Sequence, residues 1–263
     1  MALRLVFLEA IGPADACANR LWNIDILVVG VGRRSDILRL YGLEQVLPRL
    51  DRRIINRGGE QGAQHSQALH SWYAHIPGLK VVMPATPADE RDLLIASVLS
   101  GNPVLYIDNR WLYEREAELT QSRDVDLDPQ GLQILRPGND ITLVGSGYAT
   151  WLCEQAAGMP SDEGIDCEVI DLRVLNPCDG LKIGRSVERT GRLVAVDDGW
   201  ITCGLAAEII TAAAERVSPS AYKSRPARVT LPDAPVPTSR ALEETYYPTV
   251  ETGVNAVRTS LVE

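Results

Sequence analysis

The second half of the chain alternates short, β-branched apolar runs with helix-forming segments, and few folds accommodate such a pattern. Residues 140–146 (DITLVGS), 167–172 (CEVIDL), 192–196 (RLVAV) and 227–231 (ARVTL) read as buried strands. Each is a brief apolar run rich in Val and Ile, and the first ends at glycine. Residues 148–157, 180–189 and 205–217 read as helices, with a last one inside 250–261 after Pro248. The third of these, LAAEIITAAAERV, places strong helix formers and apolar residues on a helical stripe. Strands that alternate with helices imply a parallel sheet covered on both faces.

The first half repeats the pattern less completely. Strands are expected at 25–29 (DILVV), 79–83 (LKVVM) and 104–107 (VLYI). Helices are expected at 37–47, near 66–74, and over 87–99, where Pro87 suits a first helical position. Ile54 and Ile55 make too short a run to assign. Residues 114–137 are polar, charged and aperiodic, and read as a linker. The expectation is an α/β chain of two three-layer α/β/α domains with mostly parallel sheets, over residues 1–125 and 126–263.

Composition narrows the function classes. Residues of the apolar types make up 45% of the chain, enough for a substantial core, but no run is long enough to span a bilayer. Glu9 and Asp15 fall where a signal peptide would need an apolar run and a cleavage site, so a soluble cytoplasmic protein is expected. A net charge of −9 argues against nucleic acid, whose phosphates need clustered Lys and Arg. The five cysteines are odd in number and form no CxxC pair, which fits reduced thiols better than disulfides or zinc.

Several motifs lose their force on inspection. Gly30-Val31-Gly32 and Gly145-Ser146-Gly147 resemble dinucleotide turns, but Ser35 and Thr150 stand where the third glycine allows close helix packing. Both read as turn chemistry. His65, His70 and His75 invite a metal reading. A spacing of five rotates each by about 140° from the last on a helix, so they cannot share a face. One of them as an acid–base group or hydrogen-bond donor suits imidazole better.

Residues 61–87 read QGAQHSQALHSWYAHIPGLKVVMPATP. This stretch resembles the beta subunits of the pyruvate-type and branched-chain-type 2-oxoacid dehydrogenases, in the transketolase superfamily. The similarity continues at 102–104 (NPV) and 110–113 (RWLY). It resumes at 168–177 (EVIDLRVLNP), 191–200 (GRLVAVDDGW), 206–209 (AAEI) and 233–237 (DAPVP). The resemblance implies a pyrimidine-binding domain followed by a transketolase C-terminal domain. It implies thiamine diphosphate with magnesium, held mainly by an alpha subunit in a heterotetramer; this chain indeed lacks a Gly-Asp-Gly with paired Asn, and Asp179-Gly180 is a stray turn. It implies oxidative decarboxylation of a 2-oxoacid, acyl transfer to a lipoyl acyltransferase, and self-association through the C-terminal domain. His65 matches the family histidine near thiazolium and substrate, where it would donate a hydrogen bond or proton to developing oxygen charge. Gln64 and Ser66 are its substrate-proximal neighbours.

The chain also departs from the family. A glutamate that bonds the pyrimidine ring should follow the second strand. Here residues 51–56 (DRRIIN) resemble the approach to it, and 57–60 (RGGE) already resemble the loop before the histidine motif. The glutamate and the elements after it have no counterpart, which reads as an internal deletion and leaves the first domain truncated. Glu60 is a nearby carboxylate, but nothing in its spacing makes it a replacement. At Ser100-Gly101-Asn102 the aspartate of a structural potassium site is missing, leaving Asn102 as a remnant of that site. The alternative readings are a non-catalytic relative that keeps only the assembly surface, or another transketolase-like C-terminal subunit.

Overall fold

The structure is a computed structural model that describes residues 50–118, 121–128 and 131–262. The strand expected at 25–29, the helix at 37–47 and the Gly30 turn lie outside the described residues. The first part runs β1 (Leu50–Ile55), α1 (Gly62–His65), α2 (His70–Ala74), β2 (Lys80–Val82), α3 (Pro87–Leu99) and β3 (Val104–Asn109). The second runs β4 (Gln133–Arg136), β5 (Ile141–Gly145), α4 (Tyr148–Ser161), β6 (Cys167–Asp171), β7 (Val174–Asn176), α5 (Gly180–Thr190), β8 (Leu193–Trp200), α6 (Leu205–Ala214), β9 (Ala227–Leu231), α7 (Arg240–Tyr246) and α8 (Val250–Val262).

Among the described residues two sheets form, ordered β1-β3-β2-β7 and β4-β6-β5-β8-β9. Their pairings are parallel except β2 with β7 and β4 with β6. The α/β class and mostly parallel sheets expected from the sequence are present. Short strands decide the details that the sequence pattern left out. The stretch read as a linker contains β4, and Val125, Leu127 and Leu132 within it are buried. β7 is only three residues long, yet it crosses over to close the first sheet against β2. The two domains therefore share a sheet.

Side chains alternate across each strand, so each sheet faces two environments. On β3, Val104 and Tyr106 enter a cluster with Leu93, Ala96 and Val98 of α3. Leu105 and Ile107 point the other way, into a cluster that also holds Ile183 and Val187 of α5 and Leu205 and Ile209 of α6. On β8, Leu193 and Ala195 join that central cluster, while Val194 and Val196 meet Leu152 and Cys153 of α4 and Val257 of α8. One core thus runs beneath both sheets.

Side-chain caps mark the starts of α3 and α5. Thr86 Oγ1 accepts from Asp89 N at 3.1 Å, and Pro87 opens α3. Asp179 Oδ1 accepts from Lys182 N at 3.1 Å at the head of α5, so the stray Asp-Gly is a helix cap. The Gly145–Gly147 turn is steric: a Cβ on Gly145 would lie 2.7 Å from Thr150 N, and Gly147 has φ 53°. No helix among the described residues is long and apolar enough to cross a membrane.

Candidate functional site

The expected helix near 66–74 is broken. α1 ends at His65, Ser66 leaves helical geometry at φ −126°, ψ 28°, and α2 begins only at His70. The break separates the three histidines. His65 and Gln64 are exposed, Ser66 is buried, His75 is exposed beyond α2, and His70 is buried. No group of three or more His, Cys, Asp or Glu that could hold a metal exists among the described residues. Asn102 is exposed, and its N–H is taken by Ser100 Oγ at 3.2 Å.

One cluster of buried polar groups lies at the end of β8, on two aspartates given no role in the sequence reading. Asp197 Oδ1 lies 2.7 Å from His70 Nε2 and accepts from Gly199 N at 2.8 Å. Its Oδ2 accepts from Ala206 N at 3.1 Å, which caps α6. Burial opposes ionisation of both partners. The mutual charge and hydrogen bond outweigh it, raising His70 above its usual value and lowering Asp197 below its own. The next residue, Asp198, takes Arg57 Nη1 at 3.1 Å and Asn109 Nδ2 at 3.3 Å. Its burial, with Asp197 alongside, outweighs Arg57 and leaves its carboxyl raised.

Arg57 organises the rest. Its Nη2 donates to Pro248 O at 2.7 Å. Its guanidinium stacks 4.4 Å from the Tyr148 ring centroid and 4.7 Å from that of Tyr247. Trp111 Nε1 donates to Arg57 O. From this anchor the chain runs through Gly58 at φ 68°, Gly59 at φ 75° and Glu60 at φ 60°, then Gly62 at φ 65°. A left-handed non-glycine residue costs on the order of 1–2 kcal/mol, so Glu60 needs fixed partners. Its backbone N–H donates to Glu243 Oε1 at 2.9 Å.

This loop lines an open cavity of about 300 Å³ together with Arg110, Trp111 and Glu114. The lining tests the cofactor reading. Activating an aminopyrimidine takes a carboxylate bonded to the ring, desolvated enough to hold a proton. Glu114 lines the cavity and Glu60 sits in its loop wall, and both are exposed. The residues that line this cavity therefore do not supply that group, and no chemical step follows from it through thiamine. A signal for the buried cluster was present in the sequence: two adjacent acids, Asp197-Asp198, close an apolar strand, and buried carboxylates need cations.

Comparison with known proteins fits this architecture. Residues 46–115 match the transketolase pyrimidine binding domain and residues 131–252 the transketolase C-terminal domain. A solved structure described as a split-gene transketolase, an inactive beta4 tetramer, superposes with TM-score 0.64 at 24% identity, over 88% of this chain and 72% of that one, which speaks to the fold alone. Fold and domain order define a transketolase-type chain.

Among proteins of known name, the beta subunit of acetoin:2,6-dichlorophenolindophenol oxidoreductase from Cupriavidus necator is 35% identical over 98% of this chain and 72% of its own length. The mitochondrial pyruvate dehydrogenase E1 component subunit beta of Mus musculus is 37% identical over 76% of this chain and 56% of its own. The chain belongs to the family of beta subunits of thiamine diphosphate-dependent 2-oxoacid dehydrogenases. It spans 56% of the mouse pyruvate subunit's length.

Proposed function

We propose that the chain works as the beta subunit of an enzyme that decarboxylates a 2-oxoacid oxidatively and passes the acyl group to a lipoyl protein. The active site is shared with an alpha subunit, which holds magnesium and the diphosphate of thiamine. One observation carries this reading: His65 is exposed at the end of α1, directly after the loop that walls the cavity, open to a second chain. An imidazole there can donate a hydrogen bond or a proton to oxygen as charge develops.

The experiment is to purify the chain with its cognate alpha subunit and titrate thiamine diphosphate with magnesium. Turnover is then assayed on pyruvate, branched-chain 2-oxoacids and acetoin. Binding together with turnover on one of them is the expected result. A complex that assembles but neither binds nor turns over would sink the catalytic reading.

A second reading, a non-catalytic subunit that preserves assembly, is favoured by one feature. No buried carboxylate lines the cavity among the described residues. Failure of the chain to assemble with the alpha subunit counts against this alternative.

A further inference from the structure

We infer that Glu243 is a positioning residue for His65, acting through the glycine-rich loop at residues 57–62. This rests on the catalytic reading of His65 given above. The loop is held at both ends by other groups. Arg57 fixes its start through Asp198 and Pro248 O, and at its end a Cβ on Gly62 would collide with the Thr238 side chain. Glu243 reaches the apex. Its Oε1 accepts the N–H of Glu60, the non-glycine residue held in left-handed geometry, and its Oε2 lies 3.5 Å from the Cβ position of Gly58. Glu243 is 8% exposed while Glu60 is exposed, so the contact is partly buried, with the acceptor held on the protein side.

The helix that carries Glu243 is a fixed reference. α7 is anchored independently of the loop, because Tyr246 Oη donates to Ala234 O at 2.6 Å and Trp200 Nε1 donates to the same carbonyl at 2.9 Å. Tyr246 packs with Leu231 and Val236 beneath. Five residues after the clamped N–H, α1 ends at His65. Just before the clamped residue, Gly59 has no atom beyond its chain neighbours except Gln61 Nε2 within 4 Å of its Cβ position and offers little packing of its own. Placement of His65 then rests on the hydrogen bond at Glu60, with Glu243 as its acceptor, together with the close approach of Gly62 to Thr238.

The test uses the full chain with its alpha subunit and three variants. Glu243→Ala removes the acceptor. Glu243→Asp keeps the charge but withdraws it by one carbon–carbon bond, about 1.5 Å. Glu243→Gln keeps an acceptor oxygen. Amide exchange is followed over residues 58–65 and, as a control, over β5 and β8. Losing a charge-assisted hydrogen bond speeds local opening by roughly tenfold, so Glu243→Ala and Glu243→Asp exchange roughly tenfold faster across 58–65. β5 and β8 stay unchanged, and Glu243→Gln stays near wild type. In a working complex kcat falls roughly 10- to 100-fold, as misplacement by about 1 Å does, with KM little altered. Unchanged exchange over 58–65 in both Glu243→Ala and Glu243→Asp overturns the inference, and so does exchange that rises equally in β5 and β8. Absence of turnover in the wild-type complex removes the catalytic reading and leaves the exchange data to decide whether Glu243 holds the loop.

Discussion

His70 Nε2 lies 2.7 Å from Asp197 Oδ1 at the meeting of the two domains, with both side chains 1% exposed. The histidine belongs to α2 and the aspartate to β8, so the pair ties the first domain to the second. Asp198 faces the same imidazole, and Arg57 and Asn109 occupy Asp198 in turn. His70 is the histidine of this cluster, and imidazole is the side chain whose ordinary titration lies near neutrality.

Melting should therefore depend on pH through His70. Its folded pKa lies above the unfolded value of 6.5, so its contribution is complete below 6.5 and is lost as pH rises through the raised value. Asp197, lowered in the fold, stays ionised throughout that window. Calorimetry from pH 6 to pH 9 should show the wild-type midpoint falling more steeply than that of His70→Gln, whose amide keeps a donor without a titrating charge. Identical slopes would refute the assignment.

Asp171 contributes in the same direction over a wider range. Burial, reinforced by Asp89, pushes its carboxyl up to about 8, against the bonds from Thr150 and Arg173. An acid raised in the fold is not penalised below its unfolded value of 3.8, and it destabilises progressively as pH climbs from there to about 8. The slope is about 1.4 kcal/mol per pH unit for a full proton. Asp171→Asn mimics the protonated form, so it should raise the midpoint at pH 8 and change it little at pH 4. Measuring both pH values checks the sign; an equal shift at each would count against it.

Arg57 and Asp198 should behave as a couple. Arg57→Ala leaves a buried carboxylate without its cation and removes the stack between Tyr148 and Tyr247. Breaking one side of such a pair costs about 3–5 kcal/mol. Adding Asp198→Asn removes the stranded charge and should restore more than half of that loss. Arg57→Lys should fall between, because an ammonium cannot serve both acceptors and stack as guanidinium does. Urea unfolding of wild type, Arg57→Ala, Asp198→Asn, the double variant and Arg57→Lys measures the coupling, and additive losses in the two single variants and the double would exclude it.

What the sequence made legible follows from period and length. β5, β6, α5, β9 and α3 lie close to where alternation and caps place them: β5 and β6 are buried throughout, and Thr86 and Asp179 cap α3 and α5. β7 has three residues, too few to show a period, and its partner β2 lies in the other domain. β4 sits in a polar stretch because Gln133–Arg136 is only half covered at an edge of its sheet. Motif resemblance directed attention to His65 and away from His70, whose significance depends on an aspartate 127 positions later. Arg57 and Glu243 are likewise joined to their partners by the fold alone, across the domain boundary.

His65→Ala separates chemistry from stability. The side chain is exposed at the last position of α1, so truncating it empties no core space. Surface changes of this kind shift stability by about 0.5 kcal/mol or less. A group that donates a proton in the transition state contributes roughly 10²- to 10⁴-fold. The variant should therefore melt with the wild type, assemble with the alpha subunit equally well, and lose turnover by that factor in the complex. Stopped-flow or steady-state decarboxylation assays on the assembled complex measure it. Turnover equal to wild type would remove His65 from the chemistry, and a lowered melting point would show that its contacts are structural.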